Sequence, residues 1–114
     1  HKEYRRQRQM CIRDRLNSTS SVYTSGNSGD YNSIAVDSND KVHIVFYRDD
    51  NSNLYHATNA SGSWSTSSIE TNNNVGKYCS IAIDSNDGLH VSYQYNTGNA
   101  LKYAYLRAFP VLYW

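Results

Sequence analysis

Much of what usually builds a small protein is scarce in these 114 residues: two cysteines, one proline, one methionine, six glycines and two phenylalanines. Two thiols, Cys11 and Cys79, make no disulfide framework of the kind that staples small secreted folds. Charged residues are only 18% of the chain and hydrophobic residues 39%, and no apolar run approaches the ~20 residues of a membrane-spanning helix. What is present instead is tyrosine, which supplies eleven of the fifteen aromatic residues, amid abundant Ser, Thr and Asn. That mixture favours β-strands joined by polar turns over a helical bundle.

A net charge of +1 conceals two unlike segments. Residues 1–15 hold six Lys and Arg against Glu3 and Asp14, a net +4, and the rest of the chain carries −3. A basic arm can contact phosphates, but a charge run is more often a solvated tail. The stretch Met10-Cys11-Ile12-Arg13-Asp14-Arg15 also resembles translated sequencing-adapter DNA, so residues 1–15 are set aside as a non-native or disordered prefix. With an acidic body behind that arm, nucleic acid is not an expected partner. Neither is a membrane.

The strongest signal is internal. Shifting the chain by 47 positions aligns Tyr31 to Asp40 with Tyr78 to Asp87, and only two of those ten pairs differ. Over residues 17–59 against 64–106, 18 of 43 pairs are identical, where chance gives about three for ordinary compositions. Ser18-Thr19-Ser20-Ser21 recurs as Ser65-Thr66-Ser67-Ser68, Gly29 as Gly76, His43 as His90 and Leu54 as Leu101. A period in the forties with several short strands per unit fits propeller blades and is too long for leucine-rich or β-helix coils.

Each unit parses into four strands. Ser33 to Asp37 (Ser80 to Asp84) is short and nearly continuous in apolar or small residues, as an innermost strand packed on both faces should be. A polar turn at Ser38-Asn39-Asp40-Lys41 leads to Val42, Ile44 and Phe46, which alternate with His43, Val45 and Tyr47 at the period of two that a strand imposes. A third strand spans about Leu54 to Thr58. The fourth, Trp64 to Glu70, is mostly Ser and Thr and suits a wet outer edge. Residues 18–23 match that outer strand in a preceding unit. The expected fold is therefore all-β, a partial β-propeller of about two four-stranded antiparallel blades. Its divisions are a prefix (1–15), the preceding outer strand and loop (16–30), a complete blade (31–77), a partial blade (78–106) and a divergent tail (107–114). Two blades leave two apolar faces open, so the chain reads as a fragment or as a piece that assembles.

Residues 16–106 resemble bacterial and archaeal extracellular β-propeller repeats of the form S-I-A-x-D-S-N-G-x-x-H-x-S-Y, then L-x-Y-A, then G-S-W. Ser33 to Tyr47, Leu54 to Ala57 and Gly62 to Trp64 carry the likeness in one copy; Ser80 to Tyr95 and Leu101 to Ala104 carry it in the next. The resemblance implies a segment of a large secreted or cell-surface protein, often labelled sialidase-like. The sialidase Asp box, Ser-x-Asp-x-Gly-x-x-Trp, is absent: Ser85-Asn86-Asp87-Gly88 places its Gly one position early, and Ser38-Asn39-Asp40-Lys41 has none.

His43 and His90 recur near Asp37 and Asp84. Such a pair can serve as acid and base, but one repeated in every unit is better read as structural bonding, with each Asp accepting turn N–H bonds. Asp37, His43, Asp84, His90 and Trp64 are thus assigned to the blade motif. Asp49, Asn51 and Asn53 space oxygen ligands as Ca²⁺ would use them, yet the loop lacks the Gly and closing Glu of a calcium hand, and its counterpart Asn96 to Asn99 has lost the acids. A solvated turn is expected there, with no metal and no cofactor. Cys79 reads as a small strand residue. Asn17 and Asn59 match the glycosylation sequon, a cheap match in so Asn-rich a chain.

Sialoside hydrolysis needs an arginine cluster, a Tyr nucleophile with its Glu, and an acid, whereas residues 16–114 offer only Arg48 and Arg107. No catalytic residue is assigned. Binding is the more natural use. The loop after the second strand and the loop to the next blade emerge at one end, collecting Tyr47, Arg48, Asp49, Asp50, Lys77 and Tyr95 with Asn72, Asn73 and Asn74. Tyr rings beside amides and charges suit a sugar. The expected role is a non-catalytic repeat segment that binds glycan or protein or acts as a scaffold, with neighbouring blades or further copies as partners; the alternative is a blade pair of a sialidase-like glycoside hydrolase.

Overall fold

A computed structural model describes residues 18–49, 52–71 and 74–107. The basic prefix with Cys11, the tail beyond Arg107, and Asp50, Asn51, Asn72 and Asn73 lie outside the described residues. Seven strands form two antiparallel sheets, with no helix among the described residues. The first sheet runs in the order β1 (Ser28–Val36), β2 (Val42–Arg48), β3 (Asn53–Thr58), β4 (Ser65–Glu70). The second contains β5 (Val75–Ile83), β6 (Leu89–Tyr95) and β7 (Ala100–Leu106). Every neighbour in a sheet is a neighbour in sequence, so each sheet is a simple meander.

The 47-residue repeat is a repeat of backbone as well as of side chains. Positive φ falls on Gly29 and Gly76, Tyr31 and Tyr78, Asp40 and Asp87, and Ser52 and Asn99, four pairs each offset by the same 47. The ladders between β1 and β2 and between β5 and β6 each slip twice, around Gly29 and Tyr31 and around Gly76 and Tyr78. These are bulges, which bend the inner strand and re-aim its side chains. They also lengthen it: the expected strand from Ser33 begins at Ser28.

The two sheets stack face on face, but not symmetrically. Register pairs Ser33 with Val45, Ala35 with His43 and Tyr47 with Leu54, so these residues share one face of the first sheet. That face meets the opposite face of the second, where Ile81 pairs with Val91 and Ile83 with Leu89. Val45 and Leu54 from one side and Val75, Cys79, Ile81, Leu89, Val91 and Tyr93 from the other form the core. One unit's front thus packs on the next unit's back, a head-to-tail contact. The residues left outside are the same types. Leu54 is fully buried while its counterpart Leu101 is 83% exposed, and Ile81 is 9% exposed while Ile34 is 62%.

Two expectations are corrected here. The inner strand is packed on one face only, because Ile34 and Val36 face outward where the first sheet has no neighbour. Residues 18–23 form no strand, since the third strand with which they would pair belongs to no described part of this chain. They nonetheless sit as an outer strand would: Tyr23 packs on Phe46 and Tyr55 with centroids 5.3 and 5.9 Å away. At the equivalent positions, Glu70 accepts hydrogen bonds from Tyr93 and Lys102. The contact is kept and its chemistry is exchanged, aromatic stacking in one unit and a charged network in the other.

Candidate functional site

The recurring Asp and His build the hairpin turn. Asp37 Oδ1 accepts the N–H groups of Asn39 and Lys41 at 2.8 and 3.0 Å, and Asp84 Oδ1 accepts those of Asn86 and Gly88 at 2.8 and 2.9 Å. The second oxygen takes His43 Nε2 at 2.9 Å or His90 Nε2 at 2.8 Å. An ionised Asp requires the ring to donate from Nε2, which leaves Nδ1 as acceptor. His56 Nε2 donates to His43 Nδ1 at 3.0 Å, and the Tyr103 hydroxyl donates to His90 Nδ1 at 2.8 Å. His56 and Tyr103 are repeat counterparts, so this position calls for a donor.

Burial opposes ionisation of Asp37, but the bonds from His43, Lys41 and Asn39 outweigh it and lower its pKa. His90 and the turn amides lower that of Asp84. For His56, burial and then the charge of His43 push the pKa down to about 4. His43 and Asp37 are sealed between the sheets; a general acid or base would need contact with a reactant. Trp64 lies just ahead of β4, half-buried.

The turn also joins the units. Asp40 and Asp87 hold left-handed conformations with φ of 62° and 63°, a region in which Asp is tolerated. The reason for Asp is visible in the second unit, whose Asp87 carboxylate accepts the Ser38 N–H at 2.9 Å and its hydroxyl from the turn before. Further bonds continue the seam. Ile81 N–H reaches Ser33 Oγ at 3.3 Å, the Cys79 thiol donates to the Tyr31 carbonyl at 2.9 Å, and Val75 N–H to the Ser52 carbonyl at 3.1 Å. Burial pushes the Cys79 pKa up to about 11, which keeps the thiol protonated as that donor and chemically quiet.

The five ligand-binding candidates among the described residues do not converge on one site. Tyr47 is 3% exposed, and its hydroxyl donates to Asn74 Oδ1 at 3.0 Å, so its ring is spent between the sheets. Lys77 lies 5.7 Å over that ring. Arg48 turns to the other face of the first sheet, 5.5 Å over Tyr23 and 5.8 Å over Tyr55. Asp49 is exposed at the hairpin end, tied to Asn27 through backbone and side chain. Tyr95 belongs to the second sheet under Lys102, 5.8 Å away. Asp50 lies outside the described residues, as does Asn51 of the Asp49–Asn53 loop, for which the sequence predicts a solvated turn.

What converges instead is a tyrosine pair on the two bulges. Tyr31 and Tyr78 are exposed, with rings edge to face at 4.6 Å, and Tyr47 lies beneath Tyr31 at 6.1 Å. The Tyr78 hydroxyl and its charge raise the Tyr31 pKa. Lys77, next along the chain, brings a cation to the same rim. Sequence reasoning passed over this pair, although the identity of Tyr31 and Tyr78 under the 47-residue shift was its signal. No group of three or more His, Cys, Asp or Glu placed to hold a metal ion occurs among the described residues. No family model, curated protein or solved structure matches the chain.

Proposed function

We propose that the two sheets are successive blades of a β-propeller in a secreted or cell-surface protein, and that the segment is a non-catalytic module binding glycan on its tyrosine rim. The observation that carries this reading is the pair Tyr31 and Tyr78, exposed on equivalent bulges of successive inner strands with Lys77 beside them. A tyrosine ring offers an apolar face to a sugar's C–H surface and a hydroxyl to its polar edge. Repetition at a fixed offset gives one such ring per blade, so a full ring of blades would gain by multivalency. The Asp and His pairs are consumed in their own turns, which supports a structural role for the motif most open to a catalytic interpretation. The test is binding of the chain across a broad panel of immobilised glycans, repeated with Tyr78→Ala. We expect a retained sugar whose binding falls at least tenfold in the variant; binding nowhere on the panel overturns the glycan reading. Turnover of a fluorogenic sialoside by the chain would instead favour the sialidase-like alternative.

A further inference from the structure

We infer that the chain docks onto a second copy of itself head to tail, with residues 18–23 of one copy completing the three-stranded sheet of the other. The inference rests on the stacked-blade reading above and follows from the one interface present. In that interface Leu54 projects against Gly76, whose missing Cβ would lie 2.9 Å from Leu54 Cβ. Shifted by 47, the knob is Leu101 and the glycine is Gly29. Leu101 stands 83% exposed, and a Cβ at Gly29 would meet nothing within 4 Å. The socket around Gly29 is a groove lined by Val22, Tyr23, Asn32, Ile44 and Phe46. The counterparts of Val22, Asn32, Ile44 and Phe46, which are Ile69, Cys79, Val91 and Tyr93, belong to, or pack on, the filled core around Leu54; that of Tyr23 is Glu70. One face of the molecule is thus the mate of the other.

The polar seam has the same halves. Ser38 and Asp87 are joined, while their counterparts Ser85 and Asp40 are exposed. Ser33 Oγ accepts the Ile81 N–H, and Ser80 is exposed and available to meet Ile34 of another copy in the same way. The edges match too. Among the described residues β7 ends its sheet with an unpaired edge, where β3 in the first sheet is covered by β4. Ser18-Thr19-Ser20-Ser21 repeats the first residues of β4 and forms no strand in its own chain. Carrying the β3–β4 register forward sets Ser18 opposite Tyr105, Ser20 opposite Tyr103 and Tyr23 opposite Leu101. A front that fits only a back is heterologous, so the assembly grows into a ring or an open stack rather than stopping at a symmetric dimer.

Two exposed substitutions test this, one on each face: Leu101→Arg on the front and Ile34→Arg on the back. Sedimentation velocity of the whole chain at about 100 μM exceeds the micromolar dissociation of a weak standard-size interface. The wild type should sediment as an assembly, each variant alone as a monomer, and their equimolar mixture as a complex of two chains that grows no further. A monomeric wild type, or a variant that assembles alone, overturns the inference. Thiol labelling of Cys79 in a Cys11→Ser background separates this outcome from failure of the reading beneath it. Protection of Cys79 in a monomeric wild type leaves the two internal blades stacked and only the docking refuted, whereas rapid labelling refutes both. Protection in each variant shows that neither has simply unfolded.

Discussion

Gly76 gives the stacking its sharpest test because Gly29 is its internal control. Both glycines hold φ values that L side chains rarely adopt, +115° and +106°, so replacement by Ala carries a backbone cost at either site of about 1–3 kcal/mol. They differ in what the new methyl meets. At position 76 it would lie 2.9 Å from Leu54 Cβ, 3.1 Å from its Cα and 3.2 Å from its Cδ1; at position 29 it meets nothing. Leu54 is fully buried and its Cα belongs to a paired strand, so the neighbour cannot yield without parting the sheets. Forcing a methyl into such a contact costs about 1–3 kcal/mol beyond the backbone cost. With a urea dependence of about 1–2 kcal/mol per molar for a domain of this size, Gly76→Ala should unfold roughly 1 M earlier than Gly29→Ala. The two curves are to be recorded at low protein concentration, where docking of copies does not refill the Gly29 socket. Coincident midpoints would refute the placement of Leu54 against Gly76, and with it the head-to-tail register.

Two further outcomes concern the turn network. His56, with its pKa pushed down to about 4 by burial and the charge of His43, is held neutral in the folded chain and takes up its proton first in the unfolded one. Its contribution is complete above the unfolded value near 6.5 and is lost as pH falls toward 4. The full displacement corresponds to about 3 kcal/mol, and partial exposure of the ring reduces this to about 1–2 kcal/mol. His56→Tyr, which installs the second unit's donor, should flatten that part of the stability profile between pH 6.5 and 4; an unchanged difference between the two profiles would contradict the assignment. Asp37→Asn removes an acceptor sealed beneath the second sheet and should cost about 2–4 kcal/mol by thermal or urea unfolding. Asp84→Asn, at the open end of the stack, should cost distinctly less, and equal losses would mean that burial by the neighbouring unit contributes nothing.

Most of the strand plan was legible in the residues. Alternation from Val42 to Tyr47 and the turn at Ser38 to Lys41 follow from local sterics and hydrogen bonding, so β2, β3 and the hairpins fall where the pattern puts them. The repeat carried the rest, because a second copy of a pattern confirms the first. Alternation cannot say which face is dry. It placed Tyr47 with His43 and Val45 on one side of β2, but that this side meets another sheet and not water depends on residues 28 or more positions away in β5. Hence alternation is compatible with Tyr47 as a ligand-binding residue, whereas the second sheet buries it. Arg48, its neighbour, necessarily points the other way. The bulges were hidden for a different reason: an extra residue in one strand leaves no mark on composition. Residues 18–23 have the composition of an outer strand and lack only the strand to pair with, and composition cannot supply a partner.

The same residue types in two environments let the chain serve as its own control. Leu54 and Leu101, and Ile81 and Ile34, stand at equivalent places in equivalent strands, and Asp87 and Asp40 share a left-handed turn, so their differing burial measures what a neighbouring unit adds. Burying one leucine side chain is worth about 2 kcal/mol, and the socket, the Ser–Asp clasp and the free edge of β7 each await a similar completion. Each unit is therefore weakly specified alone and reinforced on both sides in a stack, the energetics of a linear array in which interfaces contribute much of the stability. On that argument the exposed Leu101 and Ile34 are not defects of a small domain. They are one half of a contact whose other half the chain also carries, and the tyrosine rim becomes a continuous surface only when units are joined.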